Sequence, residues 1–303
     1  MSGDVPTAVF LPIYIITFLI GFPNSVLAFY SCIRKIRSKP FPIDIFMFNL
    51  VVSDLIFLTF LPLKMKEAGD NMLWNMSKLL CLVHLFLFFL PIYSTCLFLA
   101  AISIERYVCV AFPANYRSPR RITYAIIICV AIWMFCVITS GFGYQVILTH
   151  TTPDKPEDMT NHTEPYRCYS NFSTRQLKDL LTMRLVVVVP FFCLPFIICL
   201  FCYISAIRIL FKLPLIKRRR RLRAIGLALG TVIVFTICFA PYNASHIVGY
   251  IKQEDPNWRM KVLMLTTLNA GLDPFIFYCI SWEMRNVIKI CVQGFFQSIN
   301  CLK

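Results

Sequence analysis

The chain has 303 residues, 58% of them hydrophobic and only 15% charged, with a mean hydropathy of +0.69. A soluble domain has no use for such an excess of apolar residues, because its exterior must meet water. The net charge of +15 is confined to short clusters between apolar stretches, which speaks for membrane topology and against a nucleic-acid partner.

Seven apolar stretches follow one another at 8–33, 44–64, 79–112, 122–147, 180–211, 222–250 and 260–281. About 20 apolar residues suffice for one helical crossing of a bilayer. Each stretch is far too long for a barrel strand, and open sheet edges cannot face lipid. The expected fold is therefore an all-α membrane protein, a seven-transmembrane helix bundle forming one domain over 1–303. The first stretch lacks a preceding basic region and a small-residue cleavage site, so it reads as a span rather than a signal peptide.

The connections between the stretches set an orientation. Arg34, Lys35, Arg37 and Lys39 fill the first, and Arg117, Arg120 and Arg121 the third. The fifth holds Lys212, Lys217, Arg218, Arg219, Arg220, Arg221 and Arg223. Acids gather in the others: Asp70, then Asp154, Glu157, Asp158 and Glu164, then Glu254 and Asp255. The positive-inside rule puts the N-terminus outside, the C-terminus in the cytoplasm and the basic run 217–223 against anionic lipid. Of fourteen cysteines, only Cys81 and Cys168 then reach the oxidising side, so they are the expected disulfide, pinning the second outer loop across the bundle mouth. The glycosylation sequons at Asn75, Asn161 and Asn171 fall on outer loops, whereas Asn243-Ala-Ser lies inside a span.

Landmarks along the stretches add chemistry. Asp54 stands in the second, Glu105-Arg106-Tyr107 closes the third, and Trp133 marks the fourth. Pro195 and Tyr203 mark the fifth, Cys238-Phe-Ala-Pro241 the sixth, and Asp273-Pro-Phe-Ile-Phe-Tyr278 the seventh. In this order, over the whole chain, they resemble the rhodopsin-like G-protein-coupled receptors. There are departures: Phe239 replaces a usual tryptophan, Asp273 an asparagine and Phe277 a tyrosine, and Ser25 with Asn24 shifts the first-helix asparagine by one. The base of the sixth helix offers no acid, so Arg106 is expected to rest on Glu105 alone. Ile102-Ser-Ile-Glu-Arg-Tyr107, Phe239-Ala-Pro-Tyr-Asn-Ala-Ser-His246, Val248-Gly-Tyr250 and Leu268-Asn-Ala-Gly-Leu-Asp-Pro274 narrow the likeness to the free fatty acid receptors. His246 and the run into Val248-Gly-Tyr250 are closer to the short-chain members.

Two arginines carry the expected ligand chemistry. Arg184 lies 11 residues before Pro195, roughly 16 Å along the helix, and Arg259 lies 15 before Pro274, roughly 22 Å. From the residues alone, each either grips an anion bidentately or snorkels to lipid headgroups. The resemblance implies the former, with a carboxylate bound by Arg184 and Arg259. Tyr242 and His246, four apart on one helix face, would add hydrogen bonds. Phe88, Phe89, Tyr93 and Val188 would line an aliphatic tail, and Phe88 stands where amine receptors carry an aspartate, against a cationic ligand. Thr139 occupies a place where the short-chain members have histidine. An acetate-sized ligand binds at about −6 kcal/mol at best, so such a receptor senses abundant metabolites at low affinity.

The resemblance also implies that Asp54, Asp273, Thr95 and Asn269 hold a sodium ion or a shared proton, with no other cofactor. The switch would be Glu105, Arg106 and Tyr107 with Tyr203, freed toward a heterotrimeric G protein when the sixth helix swings outward. The tail 282–300 alternates Trp282, Met284, Val287, Ile288, Val292, Phe295 and Phe296 with polar residues, the pattern of a short amphipathic eighth helix on the membrane surface. Cys291 and Cys301 are palmitoylation candidates or plain thiols, and Ser281 and Ser298 give arrestin few phosphate acceptors. The expected function is a plasma-membrane receptor for short-chain fatty acids. The alternatives are a sensor of longer or hydroxylated carboxylates, or an anion transporter, although no internal repeat supports the latter. No nucleophile, base and orienting group assemble into an enzyme site, and His84, His150, His162 and His246 are scattered.

Overall fold

The computed structural model describes residues 7–38, 40–113, 120–149, 168, 173–213 and 218–280. Those residues form helices and connections, with no strand among them. The helices are α1 (Thr7–Ser38), α2 (Pro42–Gly69), α3 (Lys78–Ala111), α4 (Arg120–Thr149), α5 (Thr174–Lys212), α6 (Arg218–Lys252) and α7 (Arg259–Ile280). Six of them, α1 to α6, are long and apolar enough to cross a membrane by their described residues.

The helices outrun the apolar stretches that announce them. The stretch 44–64 continues as helix to Gly69, and 180–211 begins at Thr174. Hydropathy marks only the part suited to hydrocarbon, whereas the backbone ladder continues until something caps it. For α5 the cap is local: Ser173 accepts from the Gln176 N–H, and the Gln176 side chain accepts from the Ser173 N–H. At the α1–α2 turn, Asp44 accepts from the Phe41 N–H at 2.9 Å and pairs with Lys35 at 2.6 Å.

α3 is the most enclosed of the six spans, and α4 among the least. Ile126, Ile127, Ile128, Val130 and Ile138 of α4 remain exposed, a surface that only an apolar solvent would cover. Polar pins hold the interior, as expected where hydrophobicity does not drive one helix onto another. Trp133 donates to Asn49 Oδ1 at 2.9 Å, tying α4 to α2, and Ser53 of α2 meets Ser94 of α3 at 2.7 Å. Phe239 ends an aromatic stack with Phe235, Phe196 and Phe192, with centroids 5.3–5.8 Å apart.

α5 is not uniform. Val189–Cys193, which includes Pro190, forms a π-helical turn between two α-helical segments. Pro190 has no N–H to give to the regular ladder, and the wider turn accommodates it. The turn sets Phe191 between Tyr93 and Phe135, with centroids 4.6 and 5.1 Å away.

Candidate ligand site

One end of the bundle is marked by the Cys81–Cys168 disulfide, with a Cα–Cα distance of 6.0 Å. It joins the first turn of α3 to the connection after α4 and packs with Trp74 and Leu85. Arg184 of α5 and Arg259, the first residue of α7, lie at this same end. Neither snorkels: they are 5% and 3% exposed.

Both arginines converge on one carboxylate that belongs to the chain itself. Asp255 Oδ1 accepts from Arg259 Nε at 2.6 Å and from Arg184 Nη1 at 3.1 Å, and Oδ2 accepts from Arg259 Nη2 at 2.7 Å. The Arg259 contact is the two-pronged guanidinium–carboxylate fork. Burial alone would raise the Asp255 carboxyl, but the charges and hydrogen bonds of Arg259 and then Arg184 outweigh it and hold the group below its usual range. The α6–α7 connection that presents Asp255 folds back sharply. Gln253 is left-handed (φ 54°), and the Glu254 N–H donates to Gly249 O. A Cβ at Gly249 would stand 3.1 Å from Glu254 O and from Pro256 Cδ, so glycine lets the connection close.

Next to the clamp lies a cavity of about 50 Å³ that includes Arg184 in its wall. One water needs roughly 10–15 Å³ on this measure, so the space suits a handful of heavy atoms. Tyr93, Ser140 and Tyr242 supply its other polar side chains. The Ser140 hydroxyl is buried without a hydrogen-bond partner. Phe86, Phe89, Met183 and Val187 make apolar walls. Met183 leans into the gap left by Gly143 of α4, where a Cβ would come within 2.6 Å of Met183 Cε. His246 stands edge-on to Tyr242 with centroids 4.4 Å apart, buried, and its Nδ1 has no hydrogen-bond partner.

Some expectations need correction. Phe88 does not line this cavity: its ring meets Phe57, His84 and Phe89 instead. Val187 rather than Val188 faces the space, because the lining follows the phase of α5. Thr139 turns its hydroxyl back to Phe135 O at 2.9 Å, and its neighbour Ser140 takes the position on the cavity.

In the sequence Asp255 marks only topology, though its four-residue spacing from Arg259 is a legible ion-pair signal. A second buried pair escaped too. Lys64 donates to Glu67 at 2.6 Å, with the two side chains 6% and 2% exposed, and Lys64 lies over the Phe88 ring at 5.8 Å. His84 stacks on Trp74 beside it, and neither ring nitrogen has a hydrogen-bond partner.

Deeper in the bundle, Asn269 donates to Asp273 Oδ2 at 2.7 Å, while Asp273 Oδ1, Asp54 Oδ2 and Asn269 Oδ1 have no hydrogen-bond partner. Asp54, Thr95 and Asn269 line a cavity of about 10 Å³. The unsatisfied oxygens of Asp54 and Asn269 belong to residues lining this water-sized space, whereas Asp273 is not in its wall; oxygen donors are the kind a small hard cation takes.

At the opposite end Arg106 does not rest on Glu105 as expected. Its Nη1 donates to the Tyr203 hydroxyl at 3.2 Å and its guanidinium lies over that ring, while Glu105 Oε2 accepts no hydrogen bond. The phenol of α5 supplies the partner that the acid-free base of α6 cannot. Tyr107 packs on Phe201, with centroids 6.2 Å apart. Arg106 and Tyr203 border a cleft of about 800 Å³ whose other walls include Ala206, Leu210, Leu227 and Ala228. Asn75 is exposed at the disulfide end. Asn161, Asn171, Cys291, Cys301 and the tail 282–300 lie outside the described residues.

Comparison with known proteins gives this geometry a family. The profile of the 7 transmembrane receptor (rhodopsin family) matches residues 23–277. Free fatty acid receptor 3 of Mus musculus is 39% identical over 270 residues, covering 89% of this chain and 82% of the relative. Free fatty acid receptor 2 of Homo sapiens is 36% identical over 286 residues, covering 94% and 85%. Free fatty acid receptor 1 of Rattus norvegicus is 29% identical over 279 residues, covering 90% and 91%. The chain belongs to the rhodopsin family of seven-transmembrane receptors, which are not enzymes, and within it to the free fatty acid receptors.

Proposed function

We propose that this receptor binds a short-chain fatty acid through its carboxylate between Arg184 and Arg259 and activates a heterotrimeric G protein from the plasma membrane. One observation carries the reading: two buried guanidiniums, brought together from α5 and α7, already share a single carboxylate beside a cavity of about 50 Å³. That volume favours an acid of few carbons over a long one. Tyr242 and His246 border the clamp as hydrogen-bonding groups, and Tyr93 walls the tail.

The mechanism is a shift of population. A ligand favours one conformation only by binding it better than the other. A carboxylate held by both arginines ties α5 to α7, so it favours whichever state keeps them close. At the far end, Arg106 with Tyr203, flanked by Glu105 and Tyr107, would meet a segment of the G protein in the cleft between α3, α5 and α6. A sodium ion or shared proton among Asp54, Asp273, Thr95 and Asn269 would supply counter-charge for two carboxylates. The basic clusters and the Cys81–Cys168 bridge support an orientation with the disulfide end and the N-terminus outside and the C-terminus in the cytoplasm. Glycans at Asn75, Asn161 and Asn171, a surface helix over 282–300, lipidation at Cys291 or Cys301 and engagement of arrestin complete the proposal.

The test is nucleotide exchange on an added G protein across a series from acetate to palmitate, for the wild type, Arg184→Ala and Arg259→Ala. Potency should peak at two to five carbons and be lost in both variants at normal surface expression. A peak beyond ten carbons overturns the short-chain assignment, and unchanged potency in both variants overturns the site. Uptake of the acid by vesicles holding the purified protein would make it a transporter instead.

A further inference from the structure

We propose that Asp255 is a resident occupant of the clamp, and that an incoming carboxylate binds by displacing it. The inference rests on the reading that Arg184 and Arg259 hold the ligand. Asp255 makes the contacts a free carboxylate would make: both oxygens on the Nε–Nη2 edge of Arg259, and one shared with Arg184. A ligand that grips Arg259 by the same edge cannot do so while Asp255 is there.

The positions of the three groups suit exchange. The arginines are enclosed, whereas the Asp255 side chain is 30% exposed, so the acid sits at the mouth and can leave toward solvent. It is carried on the short connection between Lys252 and Arg259 rather than on a helix. A group on so short a tether competes at an effective concentration of about millimolar or more. An acid of few carbons has little affinity to spare against that, because its tail buries so little surface.

Two consequences separate displacement from a purely architectural ion pair. Apparent affinity falls by the fraction of time the clamp is open, so removing the competing charge raises potency. The gain is also the same for every acid, since the displaced group never meets the tail. For Asp255→Asn and Asp255→Ala, dose–response curves for acetate, propionate and butyrate are measured by G-protein nucleotide exchange at matched surface expression. Displacement predicts a gain of about tenfold, which is a clamp open about a tenth of the time, equal for all three acids. Unchanged or weaker potency in both variants, or a shift that depends on chain length, overturns the proposal. Arg184→Ala in the Asp255→Asn background separates the two claims. If it abolishes the response while Asp255→Asn alone shifts nothing, the clamp stands and displacement falls; if it leaves the response intact, the clamp reading itself falls.

Discussion

The two ends of this bundle solve different recognition problems. At the disulfide end two buried cations face one carboxylate beside about 50 Å³ of space. At the Arg106 end one guanidinium, satisfied by a neutral phenol, borders a cleft of about 800 Å³ walled by Ala206, Leu210, Leu227 and Ala228. A small ion offers almost no apolar area, so its binding must come from charge and direction. A polypeptide segment offers much apolar area, so a broad aliphatic groove with a single polar contact can hold it. The same fold thus carries an electrostatic site and a hydrophobic one, joined by α3 and α5.

This contrast can be broken, beginning with the largest effect. Cys81→Ser opens a loop with a sequence separation of 87 residues, for which chain entropy predicts a loss of about 4.6 kcal/mol. Thermal denaturation in detergent should show a melting point lowered by several degrees, and carboxylate potency should fall further than basal exchange. Next, Arg184→Ala or Arg259→Ala removes charged hydrogen bonds worth about 2 kcal/mol, so potency should drop about 30-fold or more in nucleotide exchange. Tail length comes third. Each added methylene should raise potency about fourfold, from ~0.8 kcal/mol per buried CH₂, until the space beside Met183 is filled, after which potency should fall. Tyr203→Phe deletes one hydrogen bond at the other end, worth about 1 kcal/mol, and should cut maximal exchange about fivefold with only a minor change in carboxylate potency.

The smallest expected effect is with pH. The carboxyl of Asp255 is held below its ordinary value of ~3.9 because Arg259 and Arg184 outweigh its burial. A lowered folded value means that the pairing contributes fully above the ordinary value and is lost only as pH falls through the lower one. Potency measured between pH 6 and 8 should therefore show no step from this pair. A step there would place a different group in the clamp.

The sequence disclosed the helices well, because a span must be apolar over about 20 residues whatever its neighbours. Arg184 and Arg259 stand out as charges at the ends of apolar stretches, but the family resemblance, rather than the residues alone, favours a ligand over lipid headgroups, and Tyr242 and His246 join them through a shared helix face. Relations between side chains were harder to read. Asp255 looked like one loop acid among several until Gly249 and Gln253 were seen to turn the connection back over α6. Val187 lines the cavity in place of Val188, and Ser140, beside Thr139, lines it unannounced, because one residue of phase on a helix moves a side chain by about 100°. Lys64 and Glu67 are inconspicuous in the sequence because a salt bridge three residues apart usually lies at a surface, whereas here both side chains are buried and Lys64 lies over the Phe88 ring.

The π-turn at Val189–Cys193 has a bearing on how such receptors diversify. A wider turn inserts about one extra residue into the helix, so everything before it is offset by about 100° from where a regular spiral would set it relative to everything after. Arg184 precedes that offset and Tyr203 follows it. Straightening the spiral with its residue count unchanged would swing the guanidinium out of the bundle while leaving the phenol in register, whereas deleting one residue between 189 and 193 would straighten it and keep both in place. Substitutions that remove the wide turn at constant length can therefore re-aim the sensing half of α5 without disturbing its signalling half, a route to new ligand preferences that substitutions within the cavity do not offer.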